Sequence, residues 1–341
     1  MKMKTKQIVF TEAYKAELLD VDYEAPAAGE VTVELDYSAI SAGTEKANYI
    51  GERNGTGASE KNYVPEFPRT VGYSVAGRVI AIGEGVTDVT LGERVIVVWA
   101  KHKKRITVKR GGIIKIPDGV TSAEASMAYI SIFPLAAIRK THLELGESAL
   151  VMGLGILGIF AVQELRAAGA YPIIAADPKP DRRELALKLG ADYALDPTAE
   201  GFTAEVNRLT GRGANVCIEV TGLGIGLIQA LDCMAEMGRV ALLGCTRSSK
   251  FEIDYYGKVH GRGISLIGAH TMARPKVESS SGLWTIADDV RTVFDLIRGG
   301  RMNFSPMIAE THSPADAQEV YQRLVYDREF PVGVLFDWSK V

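Results

Sequence analysis

The stretch Ser148–Asp177, SALVMGLGILGIFAVQELRAAGAYPIIAAD, decides the fold. An apolar run, Ala149–Met152, enters a glycine turn. A helical pattern follows, then a second apolar run that ends in an acid. Gly153, Gly155 and Gly158 form a G-x-G-x-x-G. In this pattern Gly153 permits the tight turn, Gly155 lets main chain approach a pyrophosphate, and Gly158 lets the helix pack close to the strand. The helix that opens at Ile156 and Leu157 directs N–H groups and the positive end of its dipole at the phosphates. Asp177 stands 19 positions after Gly158, where a carboxylate accepts the hydroxyls of an adenosine ribose. Glycine is common here, 35 of 341 residues, so the motif alone is weak. The strand before it, the helix after it and the acid beyond carry the reading of a dinucleotide site. A membrane span does not fit, because Ala149–Val162 is shorter than the roughly 18 residues needed and holds three glycines.

The totals bound the alternatives. A chain of 341 residues exceeds one compact core and implies two domains. Net charge is −3, so no global field favours nucleic acid or an anionic membrane. MKMKTKQIVF has no apolar segment for export, and Cys217, Cys233 and Cys245 are scattered and odd in number. Both point to reduced thiols in a cytoplasm.

From Ser148 onward strands and helices alternate, which implies a parallel sheet of about six strands. Strands are expected at Ala149–Met152, Pro172–Ala176, Tyr193–Leu195, Asn215–Val220, Val240–Leu243 and Ser265–Ile267. Helices are expected at Leu157–Ala168, Arg182–Leu189, Glu200–Thr210 and Ile225–Glu236. Residues 1–100 read as β-rich: Gln7–Phe10 and Val31–Ser38 are strands, Val71–Ile82 a glycine-punctuated strand pair, and Leu91–Trp99 a turn and buried strand. Small glycine-rich β elements suggest a partly closed barrel. Ile50–Arg69 reads as an exposed loop, either a flap near a substrate or a plain excursion. Lys101–Arg110, KHKKRITVKR, is basic but lacks interleaved aromatics, so it reads as a solvated strand and loop. Thr121 and Glu124 form a capping box before a helix that Pro134 should break or kink. Ile286–Gly299 and Val320–Asp327 read as helices, and Val332–Phe336 as a last strand.

At these motifs the chain resembles the medium-chain dehydrogenase/reductase superfamily, the zinc alcohol dehydrogenase-like enzymes. The carriers are AISAGTE at Ala39–Glu45, VGYSVAGRVIAIGEGV at Val71–Val86, LGERV at Leu91–Val95, IPDGV at Ile116–Val120, VMGLGILG, IEVTG at Ile218–Gly222 and GRVALLG at Gly238–Gly244. The resemblance implies an α/β fold: a GroES-like β-barrel domain over 1–122, a Rossmann doubly wound domain over 123–270, and a return over 271–341. It implies an NAD(P)-dependent oxidoreductase acting on a small-molecule alcohol or ketone, and a homodimer or homotetramer. It carries Arg182, Thr221 and Gly244 into the cofactor site, beside the glycines and Asp177.

Departures from the family pattern shape the chemistry expected. The family's catalytic zinc is held by a Cys, a His and a third Cys, Glu or Asp. Here the first position is Ala42, the second Tyr73, and the third falls near Tyr129. A methyl offers no lone pair, and a neutral phenol is a poor zinc ligand. No zinc is therefore expected. The S-x-G-T-E motif is similar to a zinc-independent branch that includes bacteriochlorophyllide dehydrogenase-like proteins. Thr44 matches the hydroxyl that bonds the substrate oxygen; the relay His position is Ala47. Tyr73 is either an acid/base or a space-filling aromatic, and Glu45 either orders its loop or contacts substrate. His102 is read as structural. Asp177 favours NAD over a 2′-phosphate, while the nearby Lys179 and Arg182 leave NADP open. Three functions stand side by side: a zinc-independent NAD-dependent dehydrogenase on a sugar-like or polycyclic alcohol, an NADPH-dependent quinone or enoyl reductase, and a non-catalytic dinucleotide sensor or scaffold.

Overall fold

The computed structural model describes residues 2–52, 64–246 and 250–341. They fall into two compact units, Met1–Ile130 with Phe304–Val341, and Ser131–Asn303. The unit boundaries differ from those expected at 122/123 and 270/271.

The first unit is built from antiparallel strands. β1 (Lys2–Glu12) and β2 (Lys15–Glu24) form a hairpin. Only the centre of β1 stands out in the sequence, because β2 sends just Ala16 and Tyr23 fully inside. β3 (Glu30–Ala39) alternates inward apolar residues with outward polar ones and delivers the chain to α1 (Ala42–Tyr49). Much of the loop expected over 50–69 lies outside the described residues. β4 (Arg69–Thr70) joins β1, and β5 (Ser74–Ile82) is one strand, not the expected pair. Gly77 sits inside β5 because a Cβ there would stand 2.1 Å from the Glu34 carbonyl oxygen on β3. β6 (Arg94–Val98), β7 (Arg105–Lys109) and β8 (Ile113–Lys115) complete this run.

α2 (Ser122–Lys140) starts at the expected capping box: Glu124 N–H donates to Thr121 Oγ1, and Thr121 N–H donates to the Glu124 carboxylate. It continues through Pro134, which the sequence suggested would end or kink it. Residues 125–138 are almost all buried, and that packing outweighs the single lost hydrogen bond.

The second unit carries a six-stranded, all-parallel sheet: β9 (Ala149–Met152), β10 (Ile173–Ala176), β11 (Tyr193–Leu195), β12 (Ala214–Glu219), β13 (Met234–Leu242) and β14 (Ser265–Gly268). α3 (Ile156–Ala168), α4 (Pro180–Lys188), α5 (Phe202–Thr210) and α6 (Gly224–Asp232) connect them, and α7 (Ile286–Arg298) follows. The order β11-β10-β9-β12-β13-β14 reverses between β9 and β12. Ligands bind beyond the carboxyl ends of strands at such a switch point. α6 ends four residues before its expected limit, because Met234 already belongs to the long strand β13.

The chain then returns to the first unit through β15 (Ile308–His312), α8 (Ala317–Tyr326) and β16 (Gly333–Asp337). β16 pairs with β3, so the last strand adds to a sheet begun near the first. Phe10, Tyr49, Tyr321, Phe336 and Trp338 meet in that unit's core. Among the described residues no helix is long and apolar enough to cross a membrane.

Candidate functional site

In the second unit the three glycines of the turn meet three different demands. Gly153 follows β9 at φ +94°, which only glycine adopts cheaply. A Cβ on Gly158 would lie 1.9 Å from the Gly153 carbonyl oxygen, so helix and turn touch there. A Cβ on Gly155 would meet nothing within 4 Å. Gly155 is the cap residue of α3, and the space beside it is open to a ligand. Ile156 and Leu157 follow as the first turn of α3, whose N–H groups have no partners within the helix. These features fit the pyrophosphate of a dinucleotide.

Asp177 is nearly buried, and its two oxygens already accept main-chain donors. Leu154 N–H donates to Oδ2 at 2.8 Å and Lys179 N–H to Oδ1 at 2.9 Å. Each oxygen keeps a second lone-pair direction, so a ribose hydroxyl can still be accepted. Arg182 Nη1 lies 3.8 Å from Oδ2. Arg183 instead braces the main chain, donating to the Asp177 and Pro178 carbonyls.

Thr221 and Gly244 belong to the turns after β12 and β13. Thr221 Cγ2 lies 3.0 Å from where a Cβ on Gly153 would stand, so the turns after β9 and β12 touch. A Cβ on Gly244 would lie 2.3 Å from Gly222 N, so the turns after β12 and β13 touch as well. Glu219 organises the middle one. Its carboxylate accepts Thr221 N–H at 2.8 Å, the Thr221 hydroxyl, and Gly222 N–H at 3.3 Å. Burial pushes its carboxyl up from the ordinary range against those donors.

In the first unit, Tyr73 and Ser41 share a short hydroxyl–hydroxyl hydrogen bond. Ser41 is the cap residue of α1, and Thr44, exposed, lies in the first turn of that helix. The Tyr73 ring stands 5.7 Å from Trp99 and 6.0 Å from Tyr129, and those two are 5.6 Å apart. Trp99 is half exposed at φ +57°, an unusual backbone for a bulky residue. Tyr73 thus meets both Tyr129 and Ser41, the residue before Ala42, and positions 42, 73 and 129 bring a methyl and two phenols. That set does not fit a zinc ion, which takes thiolate, imidazole or carboxylate. Among the described residues there is no cluster of three His, Cys, Asp or Glu side chains able to hold a metal.

Glu45, a candidate for substrate contact in the sequence, does not face solvent. It is 1% exposed, and its carboxylate accepts Ser41 N–H at 2.9 Å, Tyr321 O–H at 2.6 Å and His102 Nε2 at 3.0 Å. Helix geometry turns this position inward, about 100° around α1 from its exposed neighbour Thr44. His102 is fully buried, with Nδ1 2.7 Å from Ser38 Oγ, which in turn accepts Trp338 Nε1–H at 2.8 Å. Sequence reasoning did not single out Ser41, Tyr321, Trp338 or Glu219. Ser41 and Glu219 lie inside quoted motifs whose pattern gives neither a role, and Tyr321 and Trp338 carry no local pattern that marks polar partners 276 and 300 residues away.

Residues 157–284 match the family model described as zinc-binding dehydrogenase, and residues 27–125 match the alcohol dehydrogenase GroES-like domain. The chain is 31% identical to an L-threonine 3-dehydrogenase of Pyrococcus horikoshii, over 93% of this chain and 92% of that one. It is 24% identical to a D-guloside 3-dehydrogenase of Escherichia coli, over 97% of this chain and all of that one. A crystal structure of 2R,3R-butanediol dehydrogenase from Bacillus subtilis shares the fold, with a TM-score of 0.82 at 21% identity, covering 98% of this chain and 99% of that one.

Proposed function

Because the chain belongs to the medium-chain dehydrogenase/reductase superfamily, the zinc alcohol dehydrogenase-like enzymes, we propose that it is a zinc-independent dehydrogenase preferring NAD and oxidising a secondary alcohol. The observation that carries this reading is the Ser41–Tyr73 hydroxyl pair, in which Tyr73 stands at one position where the resemblance expects a metal ligand and Ser41 directly precedes another, Ala42. Gly153, Gly155, Ile156, Leu157 and Gly158 hold the pyrophosphate, Asp177 and Arg182 the adenosine ribose, and Thr221 and Gly244 flank them. The bound nicotinamide supplies a two-electron hydride acceptor. The first unit supplies what a metal otherwise would. Oxidation of a secondary alcohol to a ketone also releases the hydroxyl proton; Tyr73 Oη accepts it as phenolate, oriented by its hydrogen bond with Ser41, and gives it up to solvent after the ketone leaves. In the reverse direction the phenol donates that proton to the carbonyl oxygen. The Thr44 hydroxyl orients the substrate oxygen.

The relatives' names concern secondary alcohols beside another heteroatom-bearing carbon: a threonine, a glycoside C3 hydroxyl, a vicinal diol. We therefore favour a sugar-like or polyol substrate over a polycyclic one. Asp177 supports NAD, since a 2′-phosphate would meet a buried carboxylate.

Metal analysis of the purified protein, with oxidation of L-threonine, methyl D-guloside and 2R,3R-butanediol by NAD⁺ before and after a chelator, tests the proposal. Turnover unchanged by chelation supports it. One zinc per chain, or turnover that dies with the chelator, overturns the metal-free mechanism. Tight NADH binding with no turnover on a broad alcohol and ketone panel would favour the sensor reading.

A further inference from the structure

Both ends of the Ser41–Tyr73 hydrogen bond rest on the same buried pair of side chains. At one end, Ser41 N–H donates to Glu45 Oε1 at 2.9 Å, which fixes the cap residue whose hydroxyl meets the phenol. At the other end, Tyr73 follows Gly72, and Gly72 lies against His102. A Cβ on Gly72 would stand 2.7 Å from the imidazole ring, and His102 N–H donates to the Val71 carbonyl at 2.8 Å. His102 and Glu45 are themselves joined through Nε2 and Oε2.

Trp338 Nε1 can only donate, so the Ser38 oxygen accepts it and still meets His102 Nδ1 at 2.7 Å. On its other side His102 Nε2 meets the Glu45 carboxylate at 3.0 Å. Tyr321 O–H donates to the same carboxylate oxygen, and burial together with the Glu45 charge holds that phenol well above its ordinary range. Lys101 is the cation whose charge acts on Glu45; its own ammonium is pulled down by burial. Every polar atom of the cluster has a partner, and such networks are rigid.

We infer that Glu45, with His102, is a positioning residue: it holds the Ser41 hydroxyl and the Tyr73 segment in register, so that the phenol presents one fixed geometry to the substrate oxygen. The main-chain N–H of Ser41 interrupts the path, so the cluster orients Tyr73 and does not carry its proton away. The inference rests on the reading of Tyr73 as the group that handles the alcohol proton.

The test uses the full chain labelled with 3-fluorotyrosine, with the Tyr73 fluorine resonance assigned by its loss in Tyr73→Phe. Glu45→Met removes all three acceptor contacts at nearly constant volume. Tyr321→Phe removes one donor and leaves the fold's aromatic packing in place. Both variants are expected to move the Tyr73 resonance and to shift its titration midpoint by about half a unit or more, Glu45→Met the further. kcat is expected to fall about tenfold in Tyr321→Phe, with KM and NADH affinity near wild type. A Tyr73 resonance and midpoint unmoved in Tyr321→Phe, whatever Glu45→Met does to folding, overturns the positioning role. Wild-type turnover in Tyr73→Phe instead overturns the reading of Tyr73, and the fluorine signals still decide the positioning question.

Discussion

Leu154 donates its main-chain N–H to the Asp177 carboxylate at 2.8 Å, tying the glycine turn after β9 to the end of β10. The acid proposed to hold a ribose is therefore also part of the turn proposed to hold a pyrophosphate. Asp177→Asn keeps one acceptor and turns an amide N–H₂ towards either Leu154 or Lys179. NADH affinity is expected to fall about tenfold, with a lowered melting temperature in the absence of nucleotide. Nicotinamide fluorescence and thermal melts read the two effects. A clean switch to NADPH at unchanged stability would contradict the tie.

Two glycines three residues apart should fail in opposite ways. Gly155 has an extended backbone that alanine tolerates, and its Cβ would enter open space. Gly155→Ala is expected to melt within a degree or two of wild type and to lose NADH binding. Gly158→Ala puts its Cβ against the Gly153 carbonyl oxygen at 1.9 Å and is expected to destabilise by about 2 kcal/mol or more. If Gly155→Ala binds NADH normally, no pyrophosphate lies beside it.

Glu164 on α3 is completely buried, and neither carboxylate oxygen has a hydrogen-bond partner among the described residues. Burial, and then the charge of Asp289, push its carboxyl well above the ordinary range; Arg139 opposes them. A carboxyl whose folded pKa is raised holds its proton longer in the folded state than in the unfolded one. Stability therefore falls as pH rises above the unfolded value near 4.5, until the folded group ionises. Glu164→Gln mimics the protonated form. It is expected to match wild type near pH 4 and to exceed it by about 1–2 kcal/mol near pH 8. Urea unfolding at the two pH values checks this, and equal stabilities at pH 8 would show that Glu164 ionises freely.

Glu310 behaves the other way. Two hydrogen bonds from Arg323, at 2.8 and 2.9 Å, lead the causes that draw its carboxyl down to about 2, with His312 adding to them. Its folded pKa lies below the unfolded one, so the contribution is full above about 4.5 and is lost as pH falls through about 2. The pair is about 30% exposed, so it is worth about 1 kcal/mol. Arg323→Ala is expected to lose that amount at pH 7 and to narrow its deficit below pH 3. A constant deficit at both would assign the loss to packing against Phe330, over which Arg323 lies.

Much of the second unit was legible because its signals are local. The turn, α3 and the acid of β10 lie within thirty consecutive residues, and each glycine answers to neighbours a few positions away. α2 was legible at its start, through Thr121 and Glu124, but not in its passage through Pro134, which burial on nearly all sides decides. The first unit hid more. β2 has few inward residues, and β5 reads as two pieces because Gly77 looks like a turn when it is a close approach to β3. Glu45 was ambiguous for the same reason. Its acceptors' partners, His102 and Tyr321, come from distant segments, and nothing within the S-x-G-T-E motif says whether that carboxylate faces solvent or the core.

The indole of Trp338 completes the buried cluster around Glu45 by a hydrogen bond to Ser38, 300 residues earlier. On the ribosome the second unit emerges as one uninterrupted segment, Ser131–Asn303, and can fold while the chain is still growing. The first unit cannot. Its sheet lacks β16, and its interior charge lacks Tyr321, until the final segment has been translated. The unit proposed to handle the proton is thus completed after the other, and a nascent chain stalled before Phe304 would hold a formed nucleotide fold while the Glu45 carboxylate still lacked Tyr321.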